Sequence, residues 1–130
     1  MKILIVEDDP INLKLTSEVL QSGGHVVMLA TTADQAMLSI AAVKPDLILL
    51  DLRLPGIKGL AVVRQCRERT DTRDIPIIAV TGFSSEHTEF EAIKAGCDAY
   101  IVKPLNIRTL SQQIEQVAAA KARELPVHNG

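Results

Sequence analysis

Five short aliphatic runs, each stopped by a polar residue and followed by a longer stretch with helical spacing, constrain this chain more than any other feature. They are Ile3 to Val6, His25 to Ala30, Leu47 to Leu50, Ile77 to Val80 and Ala99 to Val102. Unbroken apolar runs this short, bounded by turn signals, read as strands buried on both faces. The connections between them are too long for hairpins, so successive strands return by crossovers and lie parallel.

The connections carry helix punctuation. Asp9-Pro10 reads as an N-cap followed by proline at the first helical position, where its missing N–H costs nothing. Ile11, Leu15 and Val19, with Leu13, Thr16 and Leu20, recur at helical spacing until Ser22, and Gly23-Gly24 ends the helix. Thr32 with Gln35 fits a capping box, and Ala33, Ala36, Met37, Ile40 and Val43 share the face that follows, Met37 as core packing. Gly59-Leu60 opens a helix through Val62, Val63 and Cys66, with Arg64, Arg67, Glu68 and Arg69 expected on its solvated side. Ser84 to Ala95 is expected as a short helix carrying Phe90 and Ile93. Asn106 is the expected cap of a last amphipathic helix built on Ile107, Leu110, Ile114 and Val117. Residues 1–123 are expected to form one domain, with 124–130 as a flexible tail. Strand and helix alternating five times over make an α/β chain with helices on both faces of a parallel sheet. Right-handed crossovers leave the flavodoxin-like (βα)5 arrangement, strand order 2-1-3-4-5, as the expected one.

Composition narrows the function classes. The chain has 130 residues, 47% apolar and 23% charged, which suits one ordinary globular domain with a real core. Aromatics are only 2%, too few for a base-stacking surface. A formal net charge of −2 gives no electrostatic reason to seek nucleic acid or an anionic membrane. Met1-Lys2 leads into only four apolar residues before Glu7, and no apolar run reaches the length of a membrane span. A cytoplasmic protein is expected. Cys66 and Cys97 lack metal or redox spacing and read as reduced, structural thiols. His25 has no partner at metal-like spacing and reads as surface or strand-edge filler.

In a parallel sheet, whatever follows each strand gathers along one edge, where open α/β sheets bind their ligands. The first strand delivers Glu7, Asp8 and Asp9, the third Asp51, the fourth Thr81 and the fifth Lys103. Two unit charges about 4 Å apart repel by about 4 kcal/mol at an effective dielectric of about 20, so crowded carboxylates need a shared cation or a proton. Oxygen donors without His or Cys suit a hard ion, and Mg²⁺ above others. Carboxylates around a metal, with a hydroxyl and an ammonium, are what phosphoryl transfer requires, because its transition state spreads charge over three oxygens. Asp51 is the candidate nucleophile, forming an aspartyl phosphate. Asp8 and Glu7 are candidate Mg²⁺ ligands, Asp8 directly and Glu7 through water. Thr81 and Lys103 are placed to reach phosphoryl oxygens, and Asp9 is better read as the N-cap.

Val6-Glu7-Asp8-Asp9, the strand ending at Asp51, Val80-Thr81-Gly82 and Tyr100-Ile101-Val102-Lys103-Pro104 together resemble the receiver domain of two-component response regulators. Thr81 and Lys103 follow Asp51 by thirty and fifty-two residues, spacing typical of that family. The resemblance implies that Asp51 accepts phosphate from a phosphohistidine on a histidine kinase or histidine phosphotransfer protein, and that the Arg53 backbone carbonyl completes the Mg²⁺ site. It implies a switch in which Thr81 moves toward the phosphate and Tyr100 rotates inward, remodelling the face of helix four, strand five and helix five for a downstream target. It also implies a cis Lys103-Pro104 bond, kinase docking near Asn12, Leu13 and Thr16, and a monomer or weak phosphorylation-dependent dimer. The chain resembles stand-alone receivers of the DivK or chemotaxis type. Phe83, two residues after Thr81, cannot orient an attacking water, so slow self-dephosphorylation is expected, with a shorter phosphoryl half-life in Phe83→Glu.

Three other readings compete. A haloacid-dehalogenase-type phosphatase also uses a strand-end Asp and Mg²⁺ but wants a second Asp where this chain has Arg53. A flavodoxin-like FMN binder needs a hydroxyl- and glycine-rich first loop, and Glu7-Asp8-Asp9 would repel its phosphate. A degenerate receiver that only docks is disfavoured because every site position is filled.

Overall fold

The strand and helix signals resolve into a doubly wound sheet. A computed structural model describes residues 1–53, 59–82 and 89–124. In chain order they form β1 (Lys2–Val6), α1 (Pro10–Ser22), β2 (Val26–Ala30), α2 (Ala33–Ala42), β3 (Leu47–Asp51), α3 (Gly59–Glu68), β4 (Ile77–Thr81), α4 (Glu89–Ala95), β5 (Ala99–Val102) and α5 (Leu110–Glu124). The strands pair in parallel in the order β2-β1-β3-β4-β5, the flavodoxin-like arrangement expected. The order reverses between β1 and β3, and that reversal opens a crevice at their carboxyl ends.

The strand period of two sorts the core into two layers. Leu4, Val6, Ile48, Leu50, Ile77 and Ala79 face α2, α3 and α4, where Ala36, Ile40, Leu60, Val63 and Ala92 cover them. Ile3, Ile5, Leu47, Leu49, Ile78 and Val80 face the other way, under Leu13 and Leu20 of α1 and Leu110 and Ile114 of α5. All five residues of β3 and of β4 are buried, so the centre of the sheet is the least deformable part of the molecule.

Local signals explain the helix ends. The Asp9 carboxylate accepts from the Ile11 amide at 3.0 Å and caps α1, with Pro10 behind it. The amide of Gly23 closes α1 on the carbonyls of Val19 and Leu20, and Gly24 follows with a φ of 88°, which favours glycine. Thr32 accepts from the Gln35 amide at 3.1 Å, while the Gln35 side chain reaches back past the cap to the Thr31 amide and hydroxyl.

Several sequence expectations are corrected. On α1 two apolar stripes compete for the sheet; Leu13 and Leu20 win, leaving Ile11 and Leu15 exposed. On α2, Val43 is the C-cap and stays exposed. His25 precedes β2 and is buried, not surface filler: its ring joins the Met1 amine at 3.2 Å and Ser111 of α5 at 3.0 Å. Arg67 lies off the solvated side of α3, donating to the carbonyls of Gly96, Arg73 and Ile75 and to the Asp98 carboxylate. The described part of the fourth helix begins at Glu89, and Phe90 and Ile93 point outward while Ala92 enters the core. Asn106 caps a turn, accepting from the Arg108 amide, and α5 itself starts at Leu110, leaving Ile107 exposed. Helical structure continues to Glu124; the tail expected beyond it lies outside the described residues.

Candidate functional site

Backbone register brings the predicted residues to one rim. β1 ends at Val6 opposite Leu50 of β3, so Glu7 and Asp51 leave neighbouring strands side by side. Asp51 also pairs with Val80 of β4, and Thr81 pairs with Val102 of β5, which puts Lys103 one residue beyond the far strand. The Lys103-Pro104 peptide is cis.

The ammonium of Lys103 lies 2.7 Å from Glu7 Oε1 and 3.0 Å from Asp51 Oδ2, bridging carboxylates from two strands. The other Asp51 oxygen accepts from the Arg53 amide at 2.8 Å, the Asx-turn geometry an aspartate adopts when the chain turns just after it. That contact escaped the sequence reading, although an Asp at a strand end before a turn is its signal. Glu7 and Asp51 are buried, whereas Asp8 is exposed on the solvent side of the cluster. Thr81 is wholly buried, and among the described residues its hydroxyl makes only a long 3.5 Å contact, to the Gly82 carbonyl. Tyr100 is half-buried against the α2–α3–α4 layer.

Electrostatics divide the two buried carboxyls. Burial pushes Glu7 up to about 7; the neighbouring Asp51 adds to the rise, and Lys103 only partly offsets it. Burial also opposes ionisation of Asp51, but hydrogen bonds from protonated Glu7, the Arg53 amide and Lys103 outweigh it and hold Asp51 below the usual range. Lys103, though burial acts against its charge, is held up by the two carboxylates it touches. Of the two buried carboxyls, Glu7 therefore holds its proton the more tightly, and the Lys103 ammonium sits between them.

The donor set fits a hard divalent ion. One carboxylate oxygen each from Glu7, Asp8 and Asp51 lie within 4.8 Å of one another, and among the described residues no His or Cys joins them. Sites of this kind use carboxylates plus water, which suits Mg²⁺ better than zinc.

The family of response regulator receiver domains matches residues 3–115. The chain belongs to that family. It is 33% identical over 113 residues to the polar-differentiation response regulator DivK of Brucella anthropi, spanning 87% of this chain and 92% of DivK. Among solved structures, a CheY-like receiver domain protein from Methanospirillum hungatei superposes with a TM-score of 0.85 at 32% identity, covering 95% of this chain and 97% of that one. The receiver domain of a signal transduction histidine kinase from Syntrophus aciditrophicus gives 0.84 at 26% identity, over 99% and 98%. The chain is thus a receiver domain of two-component signalling, with the five-stranded fold of its relatives.

Of the expected docking residues, Asn12 and Thr16 line a cleft of about 400 Å³ with Glu7, Lys103 and Leu105, whereas Leu13 turns into the core and is unavailable to a partner. Phe83 lies outside the described residues. No helix among the described residues is long and apolar enough to cross a membrane.

Proposed function

We propose that this chain is the phosphoacceptor of a two-component phosphorelay, taking a phosphoryl group from a phosphohistidine onto Asp51 in the cytoplasm. The observation that carries the reading is the buried Asp51 side chain with the Lys103 ammonium at 3.0 Å and the Glu7 and Asp8 carboxyl groups beside it. An Asp51 oxygen bonds to phosphorus, the P–N bond breaks, and the imidazole of the donor histidine kinase or phosphotransfer protein leaves with a proton. Glu7, Asp8, Asp51 and the Arg53 carbonyl would hold Mg²⁺, which supplies positive charge to the oxygens of the transferring group. Lys103, already at Asp51, is positioned to neutralise a phosphoryl oxygen, and Thr81 to donate its hydroxyl to another.

The weak hold on the Thr81 hydroxyl supports its role as the mobile half of the switch, because re-aiming it forfeits little. Tyr100 stands two residues before Val102, the β5 partner of Thr81, so the two switch positions share a strand pair. The output face of α4, β5 and α5 exposes Phe90, Ile93 and Val102 to a downstream protein target. The only chemistry expected is formation and hydrolysis of the chain's own aspartyl phosphate, in a monomer or weak phosphorylation-dependent dimer.

Acetyl phosphate with Mg²⁺ tests the reading by intact mass. Wild type gains one phosphoryl group, and Asp51→Asn gains none. Beryllofluoride with Mg²⁺ shifts amide signals around Tyr100 in wild type only. A phosphoryl group still acquired by Asp51→Asn at another residue would overturn the assignment.

A further inference from the structure

The glycine that opens the helix after β3 meets the backbone that carries Asp51. Gly59 opens α3, and a Cβ built on it would lie 2.7 Å from Leu52 Cα and 3.1 Å from the carbonyl oxygens of Asp51 and Leu52. All three are main-chain atoms, so no rotamer change relieves the contact. Its φ is outside the left-handed range, unlike those of Gly24 and Gly96, so the demand on this position is one of space and not of conformation.

We propose that Gly59 is a positioning residue for the phosphoacceptor site: the bare first turn of α3 seats against the Asp51–Leu52 backbone and sets where the Asp51 carboxylate and the Arg53 backbone stand. The inference rests on the phosphoacceptor reading of Asp51. What yields to an added methyl follows from what is anchored. Behind Gly59, α3 is held by buried Leu60, Val62, Val63 and Cys66 and by Arg67, which bonds four separate acceptors. Upstream, β3 is hydrogen-bonded to β1 and β4, and the last ladder bond runs from the Leu52 amide to the Val80 carbonyl at 3.1 Å. Displacement therefore falls on the chain just past that bond. There the Arg53 amide holds Asp51 Oδ1 at 2.8 Å, and there the Arg53 carbonyl would join a metal. Substitutions that disturb the orientation of metal-binding groups lower affinity by roughly 10- to 100-fold.

Gly59→Ala and a control, Val63→Ala, separate positioning from packing; Val63 is a wholly buried α3 residue one turn further along the helix, packed in the α2–α3–α4 layer. In the metal-free protein, hydrogen exchange at the Arg53 amide speeds up in Gly59→Ala and stays slow in Val63→Ala. Mg²⁺ affinity, read from amide shifts, drops about tenfold or more in Gly59→Ala, and phosphoryl uptake from acetyl phosphate slows with it. Val63→Ala lowers the melting temperature and leaves both near wild type. Wild-type exchange and affinity in Gly59→Ala, loss of its fold altogether, or an equal loss of affinity in the control would each overturn the proposal. If wild type itself takes up no phosphate, the phosphoacceptor reading falls, while the exchange measurement still judges Gly59.

Discussion

Glu7 concentrates the electrostatic strain of the site. Its folded value of about 7, against 4.5 for the free side chain, means the folded state holds this proton more tightly than the unfolded chain. Below pH 4.5 both states are protonated and nothing is lost. As pH rises through 7 the folded protein must carry a second buried carboxylate beside Asp51, and stability falls. Glu7→Gln removes that penalty. In metal-free protein its urea-unfolding free energy should exceed that of wild type by on the order of 2 kcal/mol above pH 7, the gap closing toward pH 4.5. The same proton competes with a cation, so the apparent Mg²⁺ affinity of wild type should rise from pH 5.5 to about 7 and then level off, as isothermal titration at fixed ionic strength would read. Glu7, Asp8, Asp51 and Lys103 were all legible in the sequence as strand-end residues. The contact between Lys103 and Glu7 was not, because it joins residues 96 apart whose strands have two others between them.

Among the elements, α3 and the α4–β5 turn are tied by one guanidinium. The Arg67 stem covers Gly96, whose φ of 122° favours glycine and whose Cβ would meet Arg67 Cγ at 2.7 Å, and its head meets three carbonyls and Asp98. Asp98 in turn accepts from the Ile77 amide and pairs with Lys121 of α5, so a single cluster fastens the amino ends of β4 and β5. Arg67→Met keeps the stem and strips the donors. Leaving three part-buried acceptors without this donor should cost about 2–4 kcal/mol, seen as a lower urea midpoint at unchanged slope. Because the cluster lies at the opposite edge from Asp51, Mg²⁺ affinity should not change. Helix periodicity assigned Arg67 to water because it sits among charged neighbours; a long side chain can fold back over its own helix end, and spacing alone does not register that. His25 was misread for the same reason, its partner Ser111 being 86 residues away.

For the whole molecule, a cation held by the carboxylate cluster would be a source of stability. A ligand that binds only the folded state adds about 2.7 kcal/mol at a hundredfold excess over its dissociation constant. Millimolar Mg²⁺ should therefore raise the melting temperature of wild type by several degrees, reversibly with EDTA, and raise that of Asp51→Asn much less. Five aliphatic runs, their spacing and the polar residue ending each one determined the sheet, the parallel sense and the rim residues, because strand period and crossover handedness are properties of the local chain. Folding in three dimensions decided the rest: which stripe of α1 faces the sheet, that His25 is buried and Arg67 is a half-buried anchor, and that Gly59 abuts the backbone of Asp51. Those outcomes depend on distances between residues remote in sequence, and only the closed packing of helices on both faces of the sheet sets them.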